Sequence, residues 1–204
     1  LLGESQGISV YLDGVRINES FGDTVQWELV PENAIKQIDL MSSNPAFGLN
    51  ALGGSLALST KKGLDFKNKE FVDTLNKYGS FNYTSELMEY GYGTDTFGTY
   101  TSIEIERDGG WRDHSDGEIS RFYTNYGFEK DSYDINFSFL GGNTDLNGNG
   151  VTPIELLQKN REAVFTWPDK TSNKMSLFYG NSNFYTLNDG IISTNFYHKR
   201  LYRT

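Results

Sequence analysis

Three runs in this chain alternate with a period of two. Over Thr96–Glu106, Phe97, Thr99, Thr101, Ile103 and Ile105 alternate with Gly98, Tyr100, Ser102, Glu104 and Glu106. Over Ser120–Lys130, Phe122, Thr124, Tyr126 and Phe128 alternate with Arg121, Tyr123, Asn125 and Glu129. Over Tyr133–Phe139, Tyr133, Ile135, Phe137 and Phe139 alternate with Asp134, Asn136 and Ser138. Side chains of a strand point alternately to its two faces, so each run predicts a strand with one apolar and one polar face. Each comes close to the length of about 9–11 residues that a tilted strand needs to cross a bilayer.

The connections have two lengths. Lys130-Asp131-Ser132 and Gly93-Thr94-Asp95 predict tight turns. ERDGGWRDHSDGE reads as a longer polar loop, and the stretch from Gly141 to Asn173 as a still longer one with a helical piece near Ile154–Leu157. Tight turns alternating with long loops is the pattern of outer-membrane barrels, short on the periplasmic side and long outside. Tyr90, Tyr92, Phe97, Tyr126, Phe128 and Tyr133 fall close to the two tight turns. Aromatic rings favour the headgroup level, where an apolar ring meets water at its edge. A soluble β-sandwich with aromatic strand ends shares these features, so alternation alone leaves both architectures open.

The first 60 or so residues read differently. ISVYLDGVRIN predicts two short strands around Asp13-Gly14, a strong hairpin signal. PENAIKQIDL predicts a helix, with Pro31 at its first position and Ala34, Ile35 and Ile38 at helical spacing. GGSLALSTKKG predicts a strand with Leu56 and Leu58 on one face. The result is a small α+β unit, and the chain changes character near Gly63.

Composition excludes several classes. A net charge of -9 without a Lys/Arg cluster argues against nucleic-acid binding. The absence of Cys rules out a disulfide framework and thiolate metal sites. No apolar run of 18 residues exists, so no transmembrane helix is expected. LLGESQGISV lacks the basic flank and cleavage site of a signal peptide, and both ends are expected to be cut from something longer.

Residues 7–63 resemble the later plug of TonB-dependent outer-membrane receptors. The resemblance rests on the VYLDGVRIN strand pair, the VPENAIKQIDL helix-strand, and NPAFGLNALGGSLALSTKKG. Within it, Asp13, Gly14, Phe47, Gly48, Asn50, Gly53 and Gly54 form the structural plug motif. KYGSF, DGGWRDHS, DLNGNGVTPIELL and VFTWPDKTSN also look like the barrel start of one branch of the family. The resemblance implies a mainly β fold. Residues 1–63 would be the C-terminal part of the plug, and 64–204 the first strands, about seven of some 22, of an incomplete transmembrane β-barrel. It further implies an outer-membrane transporter of a Gram-negative bacterium that takes up a scarce nutrient, most often a ferric siderophore. Its partners would be outer-membrane lipid and the periplasmic TonB complex, the latter through a coupling segment that nothing in LLGESQ resembles.

Few residues suggest chemistry. Asp145–Gly150 fits the opening of an EF-hand loop, but position 12 is Leu156, with Glu155 one residue early, so a Gly/Asn turn capping the short helix is the expectation. His114 and His198 lack partners at metal spacing and are expected to be exposed or in the aromatic girdle. Glu104 and Glu106 would share a water-filled lumen face with Arg121 and Glu129, and Glu104→Arg is expected to be tolerated. No catalytic set, cofactor fingerprint or metal site appears. On an outward loop, Trp111, Arg112 and His114 are the candidate ligand-binding residues, since Trp and Arg most often anchor ligands; a Trp that merely pins the loop is the alternative. The rival function is a soluble or secreted all-β binding module, such as an adhesin or carbohydrate binder, in which Phe97, Ile103, Phe137 and Phe139 would face a protein core.

Overall fold

A computed structural model describes residues 7–20, 23–41, 54–187 and 189–204. The hairpin at Asp13-Gly14 forms as its sequence requires. Strands β1 (Ile8–Leu12) and β2 (Val15–Arg16) pair antiparallel around it. Both turn residues have positive φ, 47° and 85°, the left-handed values that a two-residue primed turn demands and that Asp and Gly tolerate. Because β2 is so short, Asn18 continues the edge: its side chain accepts from the Val10 N–H at 2.8 Å and donates to the Ile8 carbonyl at 2.9 Å.

The helix expected from Pro31 does not form. Glu32–Ala34 makes a single 3₁₀ turn, and Ile35–Met41 is strand β3. β3 pairs antiparallel with β4 (Gly54–Thr60), and β4 lies parallel to β1. The sheet order is β2-β1-β4-β3. A run with Ile35, Ile38 and Leu40 fits either period, and the open edge of β4 supplies the hydrogen bonds that select the extended one. Gly54 begins β4 at φ 126°, a value open only to glycine. Phe47, Gly48, Asn50 and Gly53 of the plug motif lie outside the described residues.

Seven long strands then follow as an antiparallel meander: β5 (Lys69–Tyr78), β6 (Thr84–Gly93), β7 (Phe97–Asp108), β8 (Gly117–Lys130), β9 (Tyr133–Asn147), β10 (Lys170–Tyr185) and β11 (Ile191–Arg203). Each pairs with its neighbour in chain order, and the sheet is open, with β5 and β11 at its edges. β7 and β9 run further than the sequence suggested. Asp108 pairs with Gly117, and Lys170 with Asn147, so GGNTDLN belongs to β9 and not to a loop. Ladder pairing on both sides of β9 outweighs the turn preference of its Gly and Asn residues. Between β9 and β10 lies α1 (Ile154–Leu157), as expected.

Register assigns each side chain to a face. Tyr100, Ser102, Glu104, Arg121, Tyr123, Asn125, Ser138, Leu140, Leu177 and Tyr179 share the face that carries the four-stranded sheet. Here a single cluster joins Val10, Leu12, Leu29 and Leu58 of the first sheet to Tyr100, Tyr123, Leu140 and Tyr179 of the second. Burying each large apolar side chain contributes about 1.5–3 kcal/mol, so this shared core fixes the small sheet against the wall. The opposite face carries Ile103 and the rings of Phe97, Phe122, Phe137, Phe139 and Phe178, each of which meets another ring across strands at 5.2–6.1 Å.

Candidate functional site

The inward face of the seven strands holds the small sheet through charged and hydroxyl groups. Asp13 is the centre. The hairpin turn places its carboxylate at the end of β4, where it accepts from the Thr60 N–H at 3.0 Å and the Thr60 hydroxyl at 2.6 Å. The Lys62 ammonium and the Tyr179 hydroxyl, the latter at 2.6 Å, bind the same carboxylate. Thr60 also meets the Tyr123 hydroxyl at 2.6 Å, and Asn125 accepts from the Gly63 N–H at 2.7 Å while donating to Ser138. Burial alone would raise the Asp13 carboxyl, but the Lys62 charge and the bonds from Lys62, Thr60 and Tyr179 outweigh it and hold the group below its ordinary value.

Two further contacts flank this one. Lys61 pairs with Glu89 at 2.6 Å, and the Tyr100 hydroxyl donates to the same carboxylate. Arg121 is buried: its Nε donates to the Glu28 carbonyl at 2.6 Å, and its guanidinium lies 2.8 Å from Glu104 and 3.7 Å from Glu106. Asn173 reaches the Glu28 side chain at 3.0 Å. Glu104 and Glu106 thus share one face, as the spacing implied. They are not simply lining water, because both address a buried cation; an Arg at 104 would set two guanidiniums against each other, which reverses the expectation that it is tolerated.

Asp13 and Gly14 stand out in the sequence, whereas the groups that bind Asp13 and the Lys61–Glu89 pair beside it do not. Lys61, Lys62, Glu89 and Tyr179 carry no local motif. Their only signals are parity along the strands and the position of Thr60-Lys61-Lys62 at the end of β4.

The long loops gather at the opposite end from the tight turns. Arg112 donates to Thr152 at 2.7 Å and to the Ala163 carbonyl at 2.6 Å, and Asp113 N–H bonds the Glu162 carbonyl at 2.9 Å. These bonds tie the β7–β8 loop to the β9–β10 loop. Trp111 is 52% exposed with Arg112 over its ring at 5.6 Å, and His114 stacks on Trp167 at 4.2 Å. The three candidate residues therefore lie on one loop, but Arg112 is committed to holding its neighbour while Trp111 and the His114–Trp167 pair remain accessible. His198 is exposed on β11, opposite Phe178. Asp145 belongs to β9 and binds Lys170 at 2.8 Å and Ser172 at 3.3 Å, so the expected capping turn is absent, and Pro153 caps α1 without a side-chain bond.

The sequence matches no protein-family profile and no curated protein. Solved structures do match. The ferric-catecholate import receptor Fiu from E. coli K12 covers 98% of this chain with a TM-score of 0.75 at 16% identity. This is the fold of TonB-dependent receptors. The ferric citrate transporter FecA covers 96% with a TM-score of 0.71 at 17% identity, and the siderophore receptor PiuA from Acinetobacter baumannii covers 96% with 0.70 at 14%. The chain spans 29–33% of the length of these receptors, so it carries only part of the receptor fold.

Proposed function

We propose that this chain is part of a TonB-dependent outer-membrane transporter of a Gram-negative bacterium that takes up a ferric siderophore or a similar iron complex. Residues 1–63 are read as the later part of the plug and 64–204 as the first barrel strands. The observation that carries the reading is the division of faces: an apolar, ring-lined outward face, and an inward face whose charges and hydroxyls grip a small folded sheet. In a bilayer, spanning strands must satisfy their backbone within a closed barrel and turn apolar side chains outward. The aromatics near the tight turns would then form the periplasmic girdle, and the long loops would face outside. The similar structures named above bear on the iron complex, since their names describe ferric citrate, ferric-catecholate and siderophore receptors.

Ligand contact is assigned to Trp111 and to His114 beside Trp167, with Arg112 setting the loop. The test is titration of the complete receptor with ferric citrate and with a ferric catecholate, followed by tryptophan fluorescence. Binding of one complex, weakened about tenfold or more by Trp111→Ala, supports the reading. No response to any ferric complex, together with TonB-independent growth on iron complexes, contradicts it.

A further inference from the structure

Three glycines stand in one row across the wall. Gly93 of β6 pairs with Gly98 of β7, and Gly98 pairs with Gly127 of β8. A single 3₁₀ turn, Gly63–Phe66, lies across this row. A Cβ on Gly93 would meet the Phe66 carbonyl oxygen at 2.6 Å, and one on Gly98 the Gly63 carbonyl at 2.3 Å. One on Gly127 would meet Leu64 Cγ at 2.7 Å. The wall is thus cut back to its backbone along a track that the turn fills. Asn125 accepts from the Gly63 N–H at 2.7 Å, Lys67 pairs with Glu129 at 2.8 Å, and Asn68 donates to Asp95 at 2.7 Å. β5 begins at Lys69, so the chain has little slack here.

The small sheet meets the wall in another way. Its polar contacts run through the tips of long side chains: Tyr179 to Asp13, Tyr123 to Thr60, Arg121 to the Glu28 carbonyl, and Lys199 to the Asn18 carbonyl at 2.7 Å. Such groups can exchange a protein partner for water. The rest is apolar packing, which is non-directional. The two attachments part between Lys61 and Lys62. The Lys61 N–H bonds the Ala34 carbonyl at 2.8 Å and so belongs to the sheet. The Lys62 N–H bonds the Asp65 carboxylate at 2.9 Å and so belongs to the turn. Two ion pairs cross this joint among the described residues, Lys36 with Asp65 at 2.6 Å and Lys62 with Asp13, and the flexible stems of both lysines can turn with it. Beside the turn, at the tight-turn end, lies a cleft of about 690 Å³ lined by Leu64, by Asp134 and Asn136 of β9 and by Tyr185 of β10.

We infer that Gly63–Phe66 is a fixed foot. During transport it stays in its track, while the small sheet turns away from β9 and β10 about the Lys61–Lys62 junction and opens that cleft toward the loops. The inference rests on the TonB-driven transport proposed above and specifies which part of the plug moves.

Residues 1–204 contain no Cys, so introduced thiols report without local background. A Cβ on Gly142 of β9 lies 3.6 Å from that of Leu29, on the link between β2 and β3, within the range of about 3.5–4.5 Å that a disulfide spans. Leu29→Cys with Gly142→Cys therefore ties the sheet to the wall. Leu64→Cys with Gly127→Cys ties the foot to its track, since Leu64 Cγ lies 2.7 Å from a Cβ on Gly127. Each pair goes into the complete receptor, and uptake of radiolabelled iron is followed, supplied as ferric citrate and as a ferric catecholate. The oxidised sheet pair should abolish TonB-dependent uptake, and dithiothreitol should restore it. The oxidised foot pair should leave uptake at its reduced level. Loss of uptake with the oxidised foot pair overturns the inference. Leu29→Cys alone gives a second reading: Leu29 is fully buried, and the thiol should react with a maleimide only when TonB and a transported ferric complex are both present. No such reaction overturns the movement. An unaltered receptor without TonB-dependent uptake of either complex overturns the proposed function itself, whereas ordinary uptake with the sheet pair oxidised overturns this inference alone.

Discussion

Gly63 and Gly98 meet backbone to backbone. A Cβ built on Gly63 would lie 2.2 Å from the Gly98 carbonyl carbon, and one on Gly98 would lie 2.3 Å from that of Gly63. The segment that leaves β4 therefore runs directly against β7, and no side chain fits at either position. Gly63→Val or Gly98→Val should cost about 1–3 kcal/mol, as overpacking does. Thermal unfolding of the complete receptor in detergent should show an earlier transition for either variant, while Gly14→Ala, whose Cβ meets nothing within 4 Å, should suffer only from its positive φ.

Asp13 makes the attachment of the small sheet pH-dependent. Its carboxyl is held below its ordinary value, so the stability it contributes is fully present above the unfolded value of about 3.9 and is lost as pH falls through the lower folded value. Hydrogen exchange of β1 and β4 amides should accelerate below about pH 4. Asp13→Asn strands the Lys62 ammonium against a neutral group and should cost about 3 kcal/mol at neutral pH. Exchange in that variant should be fast already at pH 7 and should lose most of its acid dependence.

The two faces of the wall should respond oppositely to charge. Ile103→Arg or Phe137→Arg places a cation on the apolar face and should cost about 2–4 kcal/mol in a bilayer. Glu129→Arg breaks only an exposed pair with Lys67 and should cost less than about 1 kcal/mol. Glu104→Arg should be damaging for a separate reason, the buried Arg121 at 2.8 Å. Folding into lipid vesicles by gel shift measures all four, and equal losses at Ile103 and Glu129 would contradict the assignment of faces.

Arg112 should act on loop order. Arg112→Ala removes the bonds to Thr152 and Ala163, at about 1–3 kcal/mol for groups left unpaired, and should speed hydrogen exchange in residues 109–116 and 148–169 together. Trp111→Ala should change that exchange far less, because its ring is half exposed and losing its contact with Arg112 at 5.6 Å leaves the bonds of Arg112 to Thr152 and Ala163 in place.

Much of the wall is legible in the sequence because strand parity is a local property. Alternation over Phe97–Glu106 and Phe122–Phe139 by itself puts Glu104, Arg121 and Tyr123 on one face, and Asp13-Gly14 announces its own turn. The features that stay hidden depend on partners distant in sequence. Ile35–Met41 is a strand because β4 offers an edge, and the helical spacing of Ala34, Ile35 and Ile38 carries no trace of that edge. Asp145–Asn147 has the local composition of a turn, and only its ladders with β8 and β10 make it a strand. The bond from Tyr179 to Asp13 spans 166 positions and has no sequence signal at all.

In the proposed function, the small sheet would plug a membrane barrel and take part in its coupling to TonB. Deleting the plug, including Gly7–Thr60, from the complete receptor in a receptor-null strain, with and without TonB, tests this most directly. The barrel closes its own backbone hydrogen bonds, so the truncated protein should still insert. Dye permeability should rise, and growth on a limiting iron complex should become independent of TonB. Undiminished TonB-dependent uptake by the truncated receptor, with no increase in permeability, would contradict the account.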